Sequence, residues 1–173
     1  MDRKTVVMSG YPASGKSTLG AALAERLGFA LVSKDALLMT LYDAFGFGPG
    51  DSAASLRTGA AAWAVFWAQA RLCPQVVLDA NIQWANRDQI EALKSLGGAL
   101  VEVRCNCPPE LAVKRYAERA KLGHAAQRYT ELTPDRLEAY ARPIGVGALV
   151  TVDTSEPVDV EAVTARVLQN LSA

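Results

Sequence analysis

The stretch Gly10-Tyr11-Pro12-Ala13-Ser14-Gly15-Lys16-Ser17-Thr18 follows directly on an apolar run, TVVMS, from Thr5 to Ser9. It fits the pattern Gly-x-x-x-x-Gly-Lys-Ser, in which glycines permit a tight turn and bring successive backbone N–H groups close to phosphate oxygens. Lys16 supplies a charge for the β- and γ-phosphates, and the Ser17 hydroxyl can ligate magnesium. A helix that begins inside the loop adds the positive end of its dipole. The stretch therefore predicts a nucleotide-binding site.

The residues predicted to bind the nucleotide come from this loop: Gly10, Pro12, Ala13, Ser14, Gly15, Lys16, Ser17 and Thr18. The loop lies between a predicted strand and the predicted helix KSTLGAALAERL, which we expect to end at Gly28 with a left-handed cap. This strand, loop and helix order is the context that the motif requires.

Short apolar runs rich in β-branched residues recur between helical stretches. Such alternation predicts an α/β fold of three layers, with a five-stranded parallel sheet covered by helices on both faces. The predicted strands are Thr5 to Ser9, Leu31 to Ser33, Val76 to Asp79, Ala99 to Cys105 and Ala148 to Val152. The predicted later helices are Asn86 to Leu96, Pro109 to Leu122, Thr133 to Ala141 and Val158 to Leu171, with Asn86 as a cap.

Length and composition bound the class of protein. A chain of 173 residues suits a single domain, here residues 1–173. No stretch is long enough to span a bilayer and no leader is evident, so we expect a cytoplasmic protein without a membrane partner. The formal charge is +0, which gives no general attraction for nucleic acid. Cys73, Cys105 and Cys107 lack the spacing of a zinc site, and we expect them to be reduced and mostly buried.

The stretch from Ala53 to Leu72 carries only two charges, Arg57 and Arg71. A helix here would be apolar nearly all the way round, so we expect burial on most sides. Trp63, Phe66 and Trp67 form an aromatic face that could pack into the core or against a second subunit, or could line a pocket for an organic acceptor. The stretch GFGPGD, from Gly46 to Asp51, is the predicted flexible segment.

Several segments together resemble the small P-loop kinases, an AAA-type group that includes chloramphenicol phosphotransferase, the zeta toxins and the kinase domain of polynucleotide kinase. These segments are MSGYPASGKSTLG, LVSKDALL, VVLDANI, VEVRCNCPPELAVKRYAERAKLGH and LVTVDTS, and they cover nearly the whole chain. The resemblance implies a fold like that of the nucleoside monophosphate kinases with a short lid, at about residues 115–135. It also implies ATP and Mg²⁺ as cofactors and a hydroxyl as acceptor.

Asp35 closes the run LVSKD, just past the second strand and at the sheet edge where open α/β sheets bind ligands. In the resembled kinases the acid at this position accepts or orients the proton of the attacking hydroxyl. A helix cap is the other reading of Asp35, and the two roles are compatible. Asp79 ends the run VVLD in the manner of the second acidic motif of these kinases. The resemblance implies that Asp79 forms, with Ser17, our predicted magnesium site, or that it hydrogen-bonds the acceptor. A capping carboxylate is its alternative, while Asn81 and Arg87 are weaker candidates.

The segment RYAER places Arg115 and Arg119 four residues apart, on the side of the helix opposite to Val113, Tyr116, Ala117 and Ala120. Position alone would leave the two arginines in solvent. The resemblance implies lid arginines that contact adenine or the transferred phosphate. We predict catalytic roles for Lys16, Asp35, Arg115 and Arg128, and ATP binding by Arg119.

The segment DTSEPVD, past the fifth strand, resembles the loop that closes over the adenine edge in these kinases, and the resemblance implies that Thr154, Ser155 and Pro157 line that pocket. A simple turn formed by Asp153 and Ser155 is equally compatible with the sequence.

The sequence predicts an ATP-dependent kinase that phosphorylates a hydroxyl of a small organic molecule, such as an antibiotic or another natural product, as a monomer or homodimer. One alternative is a kinase of nucleic-acid 5′-hydroxyls. The apolar and acidic stretch DALLMTLYDAF disfavours it, because polynucleotide kinases carry an arginine close after this acid. A second alternative is an ATP-binding switch or sensor that transfers no phosphate.

Overall fold

A computed structural model describes residues 2–46, 52–121 and 131–172. Within these residues the chain forms five strands and seven helices. The strands are β1 (Lys4–Ser9), β2 (Ala30–Ser33), β3 (Gln75–Asp79), β4 (Ala99–Asn106) and β5 (Ala148–Asp153). The helices are α1 (Lys16–Leu27), α2 (Lys34–Phe45), α3 (Ser52–Leu72), α4 (Arg87–Lys94), α5 (Pro109–Lys121), α6 (Pro134–Glu138) and α7 (Val160–Leu171).

The strands pair in parallel in the order β2-β3-β1-β4-β5, which places β1 at the centre of the sheet. The carboxyl ends of all strands therefore meet at one edge, where open α/β sheets bind ligands. Ser33 is paired with Asp79, and Ser9 with Arg104, at this edge. The predicted five-stranded parallel sheet is confirmed.

Alternating side chains of the strands enter two different cores. Val6 and Met8 pack with α1 and α7 on one face of the sheet. Val7 packs with Phe66 of α3 and Leu93 of α4 on the other face. Burial on both faces explains why the inner strands β1, β3 and β4 read as nearly continuous apolar runs, whereas the edge strands β2 and β5 are partly exposed.

Helix ends follow the sequence signals. Gly28 ends α1 with a φ of 67°, a left-handed conformation that glycine adopts without steric cost. The Asn86 side chain accepts a hydrogen bond from the Gln89 amide and caps α4, as predicted. Helix α6 is shorter than the predicted Thr133 to Ala141. In the predicted flexible stretch, Gly46 caps the C-terminus of α2. Residues 47–51 lie outside the described residues.

The predicted burial of α3 on most sides is wrong. Its buried side is a single stripe of Ser55, Thr58, Ala62, Phe66 and Ala70. Leu56 is 65% exposed and Leu72 is 76% exposed on the other side. The rest of the exposed side has four alanines, whose small side chains add little apolar surface, together with Arg57, Val65, Gln69 and Arg71. The sequence therefore reads as apolar although only one side of the helix is covered.

Phe66 is fully buried, and Trp63 and Trp67 pack against the same core, which confirms the core reading of the aromatic face. Cys105 and Cys107 are buried and Cys73 is half-buried. In the described parts of the chain, no helix has the length and apolarity that crossing a membrane would require.

Candidate active site

The backbone of the loop between β1 and α1 has positive φ angles and a close backbone contact that are unfavourable for residues with side chains. Gly10 has a φ of 122°, and a Cβ atom there would collide with the carbonyl oxygen of Cys105. Gly15, which precedes α1, has a φ of 93°. Ala13 also adopts a positive φ, of 63°, which is unfavourable for a residue with a side chain. The loop thus keeps a strained conformation that turns around the end of the central strand.

Lys16 is buried under this loop, with 6% of its surface exposed. Its Nζ donates hydrogen bonds to the carbonyl oxygens of Gly10, at 3.0 Å, and Tyr11, at 2.6 Å. Burial lowers the pKa of Lys16 from 10.5 to about 8, and the carboxylates of Asp79 and Asp35 only partly offset this effect. A buried ammonium of this kind is favourably placed to receive an anion.

Ser14 gives independent support for an anion at the loop. Its side chain is fully buried, and its Oγ has no hydrogen-bond partner. Buried polar groups are rarely left unpaired, so a functional ligand is one physical explanation for such an atom. The residues of the loop therefore fit the phosphates of a nucleotide at the N-terminus of α1.

Ser17 and Asp79 lie together, as the magnesium prediction requires. Asp79 is 5% exposed and accepts hydrogen bonds from the hydroxyls of Ser17 and Ser33, the latter at 3.2 Å. Burial raises the pKa of Asp79, and these hydrogen bonds together with Lys16 oppose the shift. Mg²⁺ is commonly held by one or two protein oxygens together with phosphates and water, so this pair fits the ion.

Ser33 is a residue that the sequence analysis missed. It ends β2 beside Asp79, and its Oγ also accepts a hydrogen bond from the Ala36 amide at 3.5 Å, as the N-cap of α2. The signal was available, because a serine before an apolar helix is a good cap. Its contact with Asp79 depends on the pairing of two strands that are far apart in the sequence.

Asp35 lies in the first turn of α2 but is not its cap, since Ser33 has that position. The capping alternative for Asp35 is therefore wrong. Its side chain is 37% exposed, and the Nζ of Lys34 lies 3.6 Å from its Oδ1. Asp35 is thus accessible to a molecule that enters from the open edge of the sheet.

The predicted groups meet around one cavity of about 220 Å³, which we call the phosphate cavity. The predicted site residues that line it are Ala13, Gly15, Lys16, Ser17, Thr18, Asp35, Asp79, Arg115 and Arg119. Asn81, the weaker candidate, also lines the cavity, whereas Arg87 is exposed at the start of α4. Gly10, Pro12 and Ser14 form the loop behind the cavity.

Arg115 and Arg119 of α5 point into the phosphate cavity rather than into bulk solvent. Helix α5 buries Ala112 and Tyr116 next to Tyr11 and Ala13 of the loop, while Val113 is 37% exposed. The helix is therefore rotated relative to the predicted apolar face, and this rotation brings both arginines to the site. Arg128 and the rest of residues 122–130 of the predicted lid lie outside the described residues.

A second cavity of about 480 Å³, which we call the base cavity, adjoins the first. It is lined by Leu19 and Ala22 of α1 and by Thr154, Glu156 and Pro157. The Thr154 amide donates to the Asn106 carbonyl at 2.8 Å, which fixes this segment to the end of β4. Asp153 and Ser155 also form the simple turn that was the alternative interpretation of this segment. The Ser155 amide donates a hydrogen bond to Asp153 Oδ1 at 2.8 Å.

Arg115 lines both cavities and forms part of the boundary between them. Its Nη1 donates to the Thr154 carbonyl at 2.9 Å, and its Nη2 lies 3.5 Å from the Ser155 carbonyl. Arg119 lines only the phosphate cavity. Its guanidinium lies 5.4 Å from the ring centre of Tyr116. The two arginines therefore occupy different positions relative to the two cavities.

Comparisons with known proteins agree with this fold. A family model described as an AAA domain matches residues 6–144. The comparison with curated proteins found no match. A solved structure from Chloroflexus aurantiacus J-10-fl, of a protein presumed to be a kinase, is similar with 28% identity and a TM-score of 0.80, covering 99% of this chain and 98% of that one.

Two more distant structures show the fold alone. Shikimate kinase from Aquifex aeolicus VF5 has 18% identity and a TM-score of 0.57, with 97% of this chain and 96% of that chain covered. A gluconokinase from Sinorhizobium meliloti 1021 has 21% identity and a TM-score of 0.58, with 98% and 91% covered. The predicted P-loop kinase fold is confirmed.

Proposed function

Since the chain belongs to the AAA-domain family whose model spans residues 6–144, and has a kinase-like P-loop fold, we propose that it is an ATP-dependent phosphotransferase. It transfers the γ-phosphoryl group of ATP to a hydroxyl of a small organic molecule, such as an antibiotic or another natural product. The observation that carries this proposal is that Asp35 lines the same cavity as Lys16 and the Ser17–Asp79 pair.

Each group has a role in this reaction. The loop amides and Lys16 hold the β- and γ-phosphates, and Arg119 reaches the transferred group from α5. Arg115, tied to the Thr154 carbonyl, positions the nucleotide between the two cavities. Bound at Ser17 and Asp79, Mg²⁺ would neutralise phosphate charge.

The transfer requires alignment more than covalent chemistry from the protein. Asp35 accepts a hydrogen bond from the acceptor hydroxyl and takes its proton as the hydroxyl oxygen bonds to the γ-phosphorus. The bond from this phosphorus to the bridging oxygen breaks, and the electron pair leaves with ADP. Nucleotide binding and acceptor activation thus depend on different residues, which makes them separable by mutation.

The proposal is tested with γ-labelled ATP, Mg²⁺ and a panel of metabolites, aminoglycosides, phenicols, nucleosides and oligonucleotides. We expect label to appear in a small alcohol. Label found only as free phosphate would contradict a kinase and favour the switch. Label in oligonucleotides, with binding that weakens steeply with salt, would favour the nucleic-acid kinase.

The roles are separated with three variants. Lys16→Ala should abolish turnover, because the phosphates lose their buried charge. Asp35→Asn should keep ATP affinity within about twofold and lower transfer by about a hundredfold or more, the scale of a positioned base. Asp43→Asn, on the exposed part of the same helix, is the matched control and should leave both unchanged. Loss of ATP affinity in Asp35→Asn would instead indicate a structural role.

A further inference from the structure

Lys34, the residue before Asp35, is placed where a cation is unfavourable. It is the first residue of α2, and the positive end of a helix dipole disfavours a positive charge there. Its side chain is also only 15% exposed, although lysine is rarely buried without a partner. Because both the position at the helix start and the low exposure are unfavourable for a lysine, we expect a compensating contact.

That contact is made with Asp35 and Trp63. Lys34 Nζ lies 3.6 Å from Asp35 Oδ1 and 6.0 Å from the ring centre of Trp63. Neighbouring residues on a helix normally diverge, so the lysine chain must bend toward the carboxylate. The indole of Trp63 supplies the surface over which it bends, at a distance suited to a cation–π contact.

Trp63 is itself held firmly. Its ring lies 5.3 Å from Phe66 in an edge-on arrangement and 5.8 Å from Trp67 in a stacked one. Phe66 is fully buried in the core between α3 and the sheet. A rigid chain of contacts therefore runs from this core through Trp63 and Lys34 to the carboxylate of Asp35.

We propose that Lys34 is a positioning residue of the transfer reaction, which holds Asp35 through Oδ1 so that Oδ2 is presented to the acceptor hydroxyl; this rests on the proposed function. Asp35 is 37% exposed at the start of a helix, and without a partner its carboxylate would sample several rotamers. A displacement of about 1 Å at such a group can lower a rate about a hundredfold. In this arrangement Trp63 supports the lysine rather than the acceptor.

The test compares Lys34→Met, Lys34→Arg and Lys94→Met with the wild type, using the acceptor that the labelled panel identifies. Methionine keeps most of the aliphatic stem and removes the charge. Lys94 is the control, because its pair with Glu91 at 3.2 Å is exposed, with 57% and 70% of the two side chains accessible. Such surface pairs contribute little.

We expect Lys34→Met to lower kcat about tenfold to a hundredfold, with the KM for ATP within about twofold and the melting temperature unchanged or higher. Lys34→Arg should recover much of the rate, and Lys94→Met should match the wild type. An unchanged kcat in Lys34→Met would overturn the proposal. So would a fall in kcat accompanied by loss of melting temperature and ATP affinity, because that pattern indicates a structural role.

A crystal structure of Lys34→Met gives a readout that needs no acceptor. We expect the Asp35 carboxylate to leave its position at the phosphate cavity, and an unmoved carboxylate would overturn the proposal. A wild type that labels no acceptor would refute the proposed function instead, and the Asp35 position in the two structures would still decide whether Lys34 holds this side chain.

Discussion

At the scale of single residues, burial changes the chemistry of Lys16. Its pKa is lowered from 10.5 to about 8, because water no longer stabilises the ammonium. Burial also raises the pKa of the neighbouring Cys105 thiol, to about 12, which keeps its proton bound across the range in which Lys16 titrates. In the free protein Lys16 is therefore charged below about pH 8 and loses its proton above it.

This shift predicts proton uptake when a nucleotide binds. Bound phosphates favour the charged lysine, so above pH 8 binding must return a proton to Lys16, and affinity should fall up to about tenfold per pH unit. Calorimetric titration at pH 9 in two buffers of different ionisation enthalpy should register about one more proton taken up than at pH 7. Lys16→Arg should lose this pH dependence, since arginine remains charged. Equal proton uptake at both pH values would contradict the assignment.

At the scale of elements, helices α3 and α5 show how rotation about a helix axis decides which side chains matter. Helix α5 presents Arg115 and Arg119 to the cavities because Ala112 and Tyr116 seat it beside the loop. Helix α3 buries only one stripe, although its sequence is apolar on nearly every side. The adjacent residues Ala61 and Ala62 of α3 therefore differ in burial: Ala61 is exposed and Ala62 is buried.

Two neighbouring substitutions in α3 test this orientation. Ala62 is fully buried against Leu38 and Tyr42, so Ala62→Leu should overpack the site and cost about 1–3 kcal/mol of unfolding free energy. Ala61 is exposed, and Ala61→Leu should change stability by less than about 0.5 kcal/mol. Denaturant unfolding measures both values. Equal destabilisation would mean that α3 is buried on both sides.

At the scale of the whole molecule, Glu102 connects the central strand with the segment before β5. It is 1% exposed, accepts a hydrogen bond from Ser9 Oγ at 2.6 Å, and accepts from the amides of Ile144 and Gly145 at 2.8 and 2.9 Å. Arg104, two residues further along β4, donates to the carbonyl of Ala141 at 2.6 Å. Side chains of β4 thus hold both the residue that precedes the phosphate loop and the segment between α6 and β5.

Replacing this carboxylate should loosen the connection. In Glu102→Gln the side-chain amide keeps one acceptor oxygen, so the amide of either Ile144 or Gly145 loses its partner, at a cost of about 1–3 kcal/mol. Glu118→Gln, on the exposed side of α5, should stay within about 0.5 kcal/mol. The difference is measured by denaturant unfolding, and equal stabilities of the two variants would refute the role of Glu102.

Local patterns were sufficient to predict the parallel sheet, the phosphate loop, the left-handed end of α1 at Gly28 and the cap at Asn86. The sheet followed from the alternation of apolar runs with helical stretches. The other three features depend on residues close together in the chain, where backbone conformation follows from side-chain type. The sequence analysis also placed Asp35 at the edge where such sheets bind ligands, and it paired Ser17 with Asp79 as a magnesium site.

The tertiary structure alone decided which groups touch these residues. Ser33 reaches Asp79 through strand pairing, Lys34 is supported by Trp63 from another helix, and Glu102 holds amides far along the chain. The rotation of α3 and α5 likewise follows from what each helix packs against. Periodicity records which side chains can be buried, whereas burial and its effect on charge depend on neighbours that only the folded chain brings together.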